Sequence, residues 1–154
     1  MKRPVLFFLV LSLACVSIQC KKKGCTDPIS INYDENAKDD DGSCKYGGTG
    51  GSLTIVAKPE HHFDPIVGPV GYPDSAFIKF NAKDSPGSNP ANYDLIVAGE
   101  EGEDHVNIHG MKPGKYYIFM AGYDSSRAER VTGGYPATIT QESGEVEVVV
   151  PVSE

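Results

Sequence analysis

The sequence predicts an all-β protein whose main body is a single antiparallel β-sandwich of about seven strands. Three observations predict it. Apolar and polar residues alternate with a period of two in successive segments after residue 52, the pattern of strands with one buried and one wet face. Glycine and proline together make up 28 of the 154 residues, about 18 % against roughly 12 % on average, which favours many turns. No stretch beyond the amino terminus carries apolar residues at helical spacing. The formal charge of -7, from 21 acidic and 14 basic residues, sets a field that opposes nucleic acid as a partner.

The chain opens with Lys2 and Arg3 and runs on through an uncharged stretch from Val5 to Ile18. A charged flank before a short apolar run is the order of an export signal. Fourteen residues fall short of the roughly 20 needed to span a bilayer as a helix. The segment resembles a bacterial lipoprotein signal, in which a cysteine becomes the acylated first residue of the mature chain. Cys20 and Cys15 compete for that role. Ala14 before Cys15 fits the family's small-residue preference, whereas Gln19 before Cys20 departs from it. Cleavage before Cys20 leaves Cys25 and Cys44 as an even pair, and cleavage before Cys15 leaves an odd thiol in an oxidising compartment. Cys20 is therefore favoured. Residues 1–19 are then the signal and residues 20–24 a basic tether, with Lys21, Lys22 and Lys23 against anionic headgroups. The mature chain keeps 12 basic and 21 acidic residues, a charge of -9. The resemblance implies an anchor of acyl chains such as palmitate, in the cell envelope and by expectation the outer membrane of a Gram-negative bacterium.

Residues 25–46 form a small acidic module bracketed by Cys25 and Cys44. The run Cys25, Asp27, Pro28, Asn32, Tyr33, Ala37, Asp40, Asp41, Gly42, Ser43, Cys44 resembles a short repeat of secreted and surface-attached bacterial proteins. A disulfide between its cysteines would close a loop of about 20 residues and contribute roughly 3 kcal/mol in the chain-entropy model. Asp34, Asn36, Asp39 and Asp41 supply oxygens of the kind calcium takes. An EF-hand fits poorly: aligning Gly42 with that loop's glycine places Ala37 at the first ligand and Gly48 at the last. A solvated acidic turn is the favoured reading, with calcium as the possible cofactor. Residues 47–52, rich in glycine, read as a flexible linker.

Residues 53–154 hold the sandwich. Leu53, Ile55 and Ala57 share one face, as do Ile78 and Phe80, and then Tyr93, Leu95 and Val97. Val106 and Ile108 point one way while His105, Asn107 and His109 point the other. Residues 115–123 are the longest apolar run and the expected central strand, and Val146, Val148 and Val150 close the series. The segment Val106 to Ile118, with Met111-Lys112-Pro113-Gly114-Lys115-Tyr116 at its centre and Gly122-Tyr123 beyond, resembles the signature of carboxypeptidase regulatory-like and collagen-binding B-type domains. That resemblance implies a transthyretin-like sandwich. Pro113 is expected to fix φ, Gly114 to supply a positive φ, and Tyr116 to enter the core.

Chemistry-bearing motifs are sparse. The sequence contains no phosphate loop, nucleophile elbow or zinc-protease helix. It ends Val150-Pro151-Val152-Ser153-Glu154, unlike the Tyr-Arg-Gly-Ser tail of transthyretin-like hydrolases. Adjacent Tyr116 and Tyr117 face opposite sides of a strand and cannot share an iron as in intradiol dioxygenases. The expectation is a non-catalytic lipoprotein whose sandwich is a binding, adhesion or accessory module for a protein or glycan of the envelope. Loops 59–75 and 84–92 are its candidate contact surfaces. The alternative is a ligand- or metal-binding lipoprotein using His61, His62, His105 and His109. Four residues along a strand span roughly 13 Å, so His105 and His109 would need a partner from the first loop to share an ion.

Overall fold

A computed structural model describes residues 21–154. The expected signal over residues 1–19 and both candidate acylation sites, Cys20 and Cys15, lie outside the described residues. Strands make up the regular structure: β1 (Lys23–Gly24), β2 (Asp39–Asp40), β3 (Thr49–His61), β4 (Asp64–Pro65), β5 (Ser75–Phe80), β6 (Leu95–Ala98), β7 (Val106–Met111), β8 (Gly114–Asp124), β9 (Glu129–Ile139) and β10 (Ser143–Val152). One 3-10 turn, Pro90–Asn92, precedes β6. Among the described residues no helix is long and apolar enough to cross a membrane.

Two four-stranded sheets face each other. In the first, β3 lies between β10 on one side and β7 and β4 on the other. The second has the order β6-β5-β8-β9. The alternation sorts the core residues of the expected strands, except that Tyr93 does not share the inward face of Leu95 and Val97: it precedes β6 and packs on the outer side against Phe77 and Phe119. Leu53, Ile55, Val106, Ile108, Val148 and Val150 from the first sheet meet Ile78, Ile118, Met120 and Val131 from the second in one core. At about 25 cal/mol per Å² this apolar burial is the main term holding the sheets together. β8 pairs with both β5 and β9 and is the central strand that its long apolar run predicted.

Four features depart from the expectation. First, β10 runs parallel to β3 along its whole length, from Ser143 opposite Ser52 to Val152 opposite His61. Parallel neighbours need a long crossover, and β4 to β9 lie between these two. Second, β9 was concealed in the sequence by Gly133, Gly134 and Pro136. A Cβ on Gly133 would collide with the carbonyl of Pro151, and one on Gly134 would sit 2.5 Å from Tyr117 Oη. Those glycines mark close approach, not a turn. Pro136 is tolerated because β9 is an edge strand of its sheet.

Third, residues 47–52 are fixed, not a flexible linker. Gly47 N–H donates to Asn81 Oδ1 at 2.8 Å and Gly48 N–H to Tyr116 Oη at 3.0 Å, and β3 already begins at Thr49. Fourth, Gly114 does not adopt a positive φ; Gly110 does, at 72°. Residues 112–113 join β7 of the first sheet to β8 of the second, so the motif is a corner between sheets. Gly114 is needed there because a Cβ would strike the backbone of Gly47. Tyr116 enters the core as expected, fully buried, and its hydroxyl donates to Lys112 O at 2.5 Å.

The acidic module is closed by a Cys25–Cys44 disulfide with Cα atoms 4.8 Å apart. Its turns are built by side chains that bond the backbone two residues on: Asp27 accepts from Ile29 N–H, Asp34 from Asn36 N–H, and Asp41 from Ser43 N–H. Ser30, buried, bridges Asn32 and Lys45. Hydrogen bonds here stand in for the apolar core that so short a segment lacks.

Candidate functional site

The described residues carry two constellations of interest. One is a charged knot at the end of β3. His61 is 1 % exposed, with Nδ1 2.9 Å from Asp124 Oδ2 and Nε2 3.1 Å from Glu154 Oε2. Asp124 ends β8, and its carboxylate also accepts from Ser126 Oγ at 2.6 Å and Arg127 Nη1 at 3.0 Å. These donors, the Ser126 hydroxyl first and then His61, hold its carboxyl far below the usual range against the opposing effect of burial. The bond to Asp124 in turn raises the His61 pKa, with burial opposing and Glu154 adding to the rise. The knot ties the first sheet to the β8–β9 turn of the second.

The four sequence-selected histidines do not meet at one ion. His61 and His62 sit together, with ring centroids 4.3 Å apart. His109 lies on the outward face of β7, and His105 immediately precedes that strand. His105 Nδ1 is 2.9 Å from Asp104 Oδ1, and His109 Nδ1 is 3.0 Å from Thr54 Oγ1. Among the described residues, neither the His105 nor the His109 ring belongs to a three-ligand group that includes the other.

The calcium set is likewise not gathered. Asp34, Asp39 and Asp41 form no three-ligand cluster among the described residues. Asp34 pairs with Lys22 at 2.6 Å and Asp39 with Lys21 at 3.7 Å. Two of the three lysines expected to face headgroups, Lys21 and Lys22, thus reach back to the module, and Asn36 contributes its backbone N–H to the Asp34 turn. Bonding to Lys22 and Asn36 lowers the Asp34 pKa.

The second constellation is aromatic and was not singled out in the sequence. Register places Ile96, Phe77, Phe119 and Gly134 in one row across the outer face of the second sheet. Tyr93 precedes β6 and folds onto this face, its ring 5.8 Å from Phe77 and 5.9 Å from Phe119. Its hydroxyl donates to Gly87 O at 2.8 Å, which anchors the 84–92 loop. The available signal was β8 itself: Tyr117, Phe119 and Tyr123 make its outer face as aromatic as its inner face is apolar.

Beside this row lies an open cleft of about 480 Å³, walled by Tyr72, Pro73, Gly122, Tyr123 and Arg130. Tyr72 is 63 % exposed and its ring centroid is 6.4 Å from that of Tyr123. The cleft size falls in the range of small-ligand sites. Below it, Asp74 is 2 % exposed and neither carboxylate oxygen has a hydrogen-bond partner of normal geometry. Burial pushes its pKa up to about 6, offset in part by the Tyr123 backbone N–H. Gly122 is required above it, since a Cβ there would strike Asp74 Oδ1 and Ile66.

No protein-family model, curated protein or solved structure matches the chain.

Proposed function

We propose that this chain is a non-catalytic lipoprotein of the bacterial cell envelope, anchored through acyl chains on Cys20, whose transthyretin-like β-sandwich is a binding module for an envelope glycan. The aromatic outer face with the Tyr72–Tyr123 cleft carries the binding reading. Tyrosine rings offer flat apolar faces with a polar rim, suited to stacking on sugar rings while hydrogen bonding to their hydroxyls. Arg130 at the cleft wall adds a donor for acidic groups. Two sheets sharing one core, joined by the Lys112–Pro113 corner, support the sandwich assignment. The closed disulfide supports export, because such bonds persist in oxidising compartments.

The chemistry of the charged knot supports a non-catalytic reading. An aspartate-histidine pair activates a nucleophile only when the far imidazole nitrogen faces a hydroxyl or thiol. Here His61 Nε2 faces the Glu154 carboxylate, and the Ser126 hydroxyl binds Asp124 instead. The test is titration of the purified protein with envelope oligosaccharides, followed by amide NMR. Saturable shifts at residues 72, 121–123 and 130, abolished by Tyr72→Ala and Tyr123→Ala, support the reading. Shifts elsewhere, or capture of a protein in place of sugar, overturn the glycan assignment.

A further inference from the structure

We infer that His61, His62 and Glu154 form a binding site for one divalent transition-metal ion of the zinc type, with Asp124 as the positioning residue behind it. One ligand atom from each of the three lies within 4.8 Å of the other two. His61 Nε2 and Glu154 Oε2 are already 3.1 Å apart. Around a tetrahedral zinc ion, nitrogen and oxygen ligands sit at about 2.0–2.2 Å from the metal and so about 3.3 Å from one another. Closing the triangle therefore takes at most about 1.5 Å of side-chain movement, and the two groups that would move, His62 and Glu154, are both exposed.

The order of the parts is that of a metal site. Metal-binding histidines commonly donate their other ring N–H to a carboxylate, which fixes tautomer and ring orientation. Asp124 does this at His61 Nδ1, at 2.9 Å, and is itself held by Ser126 and Arg127. With the proton on Nδ1, the Nε2 lone pair points toward Glu154, and the His62 ring lies beside that of His61 with centroids 4.3 Å apart. Two imidazoles and one carboxylate leave a fourth position open.

The backbone supplies an independent observation. His62 and Phe63 are the two loop residues between β3 and β4, and both have positive φ, 54° and 70°. Hairpin loops of this kind normally use Asn-Gly. Phe63 is 94 % exposed, so packing does not explain the choice of residues. Strain held at non-glycine positions clusters at ligand sites, and here it fixes His62 beside the buried ring of His61. Among the described residues no hydrogen bond or ion pair uses the His62 side chain, so the charged knot does not need it.

The second ligand-type group, Glu103, Asp104 and His105, lies in the loop that leads into β7 and provides the control. Calorimetric titration of the full chain with zinc chloride is expected to show one saturable site. His62→Ala and Glu154→Gln are each expected to weaken it at least tenfold, and Asp124→Asn by 10- to 100-fold. His105→Ala and His109→Ala are expected to leave it unchanged, and circular dichroism checks that every variant keeps its strand content. The inference is overturned if the wild-type chain shows no saturable zinc binding, if His62→Ala binds as the wild type does, or if His105→Ala carries the loss. It does not depend on the glycan reading, whose cleft shares none of these residues.

Discussion

Replacing Asp74 by Asn is expected to stabilise the protein at pH 8 and to leave it nearly unchanged at pH 4. The side chain is buried against Gly122 and Ile66 without a hydrogen-bond partner of normal geometry, so the fold favours its neutral form. A rise from 3.8 to about 6 corresponds to about 3 kcal/mol at 1.36 kcal/mol per pKa unit. Because the folded pKa is the higher one, the neutral carboxyl's contribution is complete below about pH 4. It is lost as pH climbs through about 6. Asn has the same shape and cannot ionise, so the variant escapes that loss. Urea unfolding of both proteins at intervals from pH 4 to pH 8 measures the difference directly. Carboxylates held low, among them Asp94 and Asp104, act in the opposite sense, losing stability as pH falls, but they cancel between the two proteins. A constant difference across the range, or a wild type that gains on the variant above pH 6, would refute the argument.

Other outcomes follow from the same structure. Gly114→Ala is expected to cost about 1–3 kcal/mol in urea unfolding, because its Cβ meets the Gly47 backbone, which has no rotamer to yield. Tyr116→Phe strips the hydroxyl from Gly48 N–H and Lys112 O, and calorimetry is expected to show a loss of about 1–3 kcal/mol. Phe63→Gly should stabilise the protein by about 1 kcal/mol, since an exposed side chain is removed from a left-handed backbone. Cys25→Ser with Cys44→Ser is expected to destabilise residues 25–46 by about 3 kcal/mol. Amide exchange would show this as faster exchange at Ser30 and Lys45 with little change in β8.

Much of the fold was legible because alternation is a local property. Leu53, Ile55 and Ala57, or Val106 and Ile108, state in sequence which side is buried, and hydrophobic transfer needs no knowledge of the partner to enforce it. The glycines of β9 hide that strand because one residue type serves two purposes, turning the chain and letting it pass close to a neighbour. Which applied at Gly133 and Gly134 depended on Pro151 and Tyr117, and both lie outside the local window. At Gly114 the motif indicated a constrained glycine correctly and the cause wrongly.

The sites divide along the same line. Composition and order alone determined the all-β class, the acidic balance, the even cysteine pair within the module and the resemblance to a lipoprotein signal. Each depends on residue chemistry or on spacing along one segment. Only the tertiary structure decided that β10 lies parallel to β3, that His61 and His62 part from His105 and His109, and that Asp124 and Glu154 close around His61. Those contacts join positions more than sixty residues apart. Their energies depend on distances that chain order leaves open until the two sheets have packed.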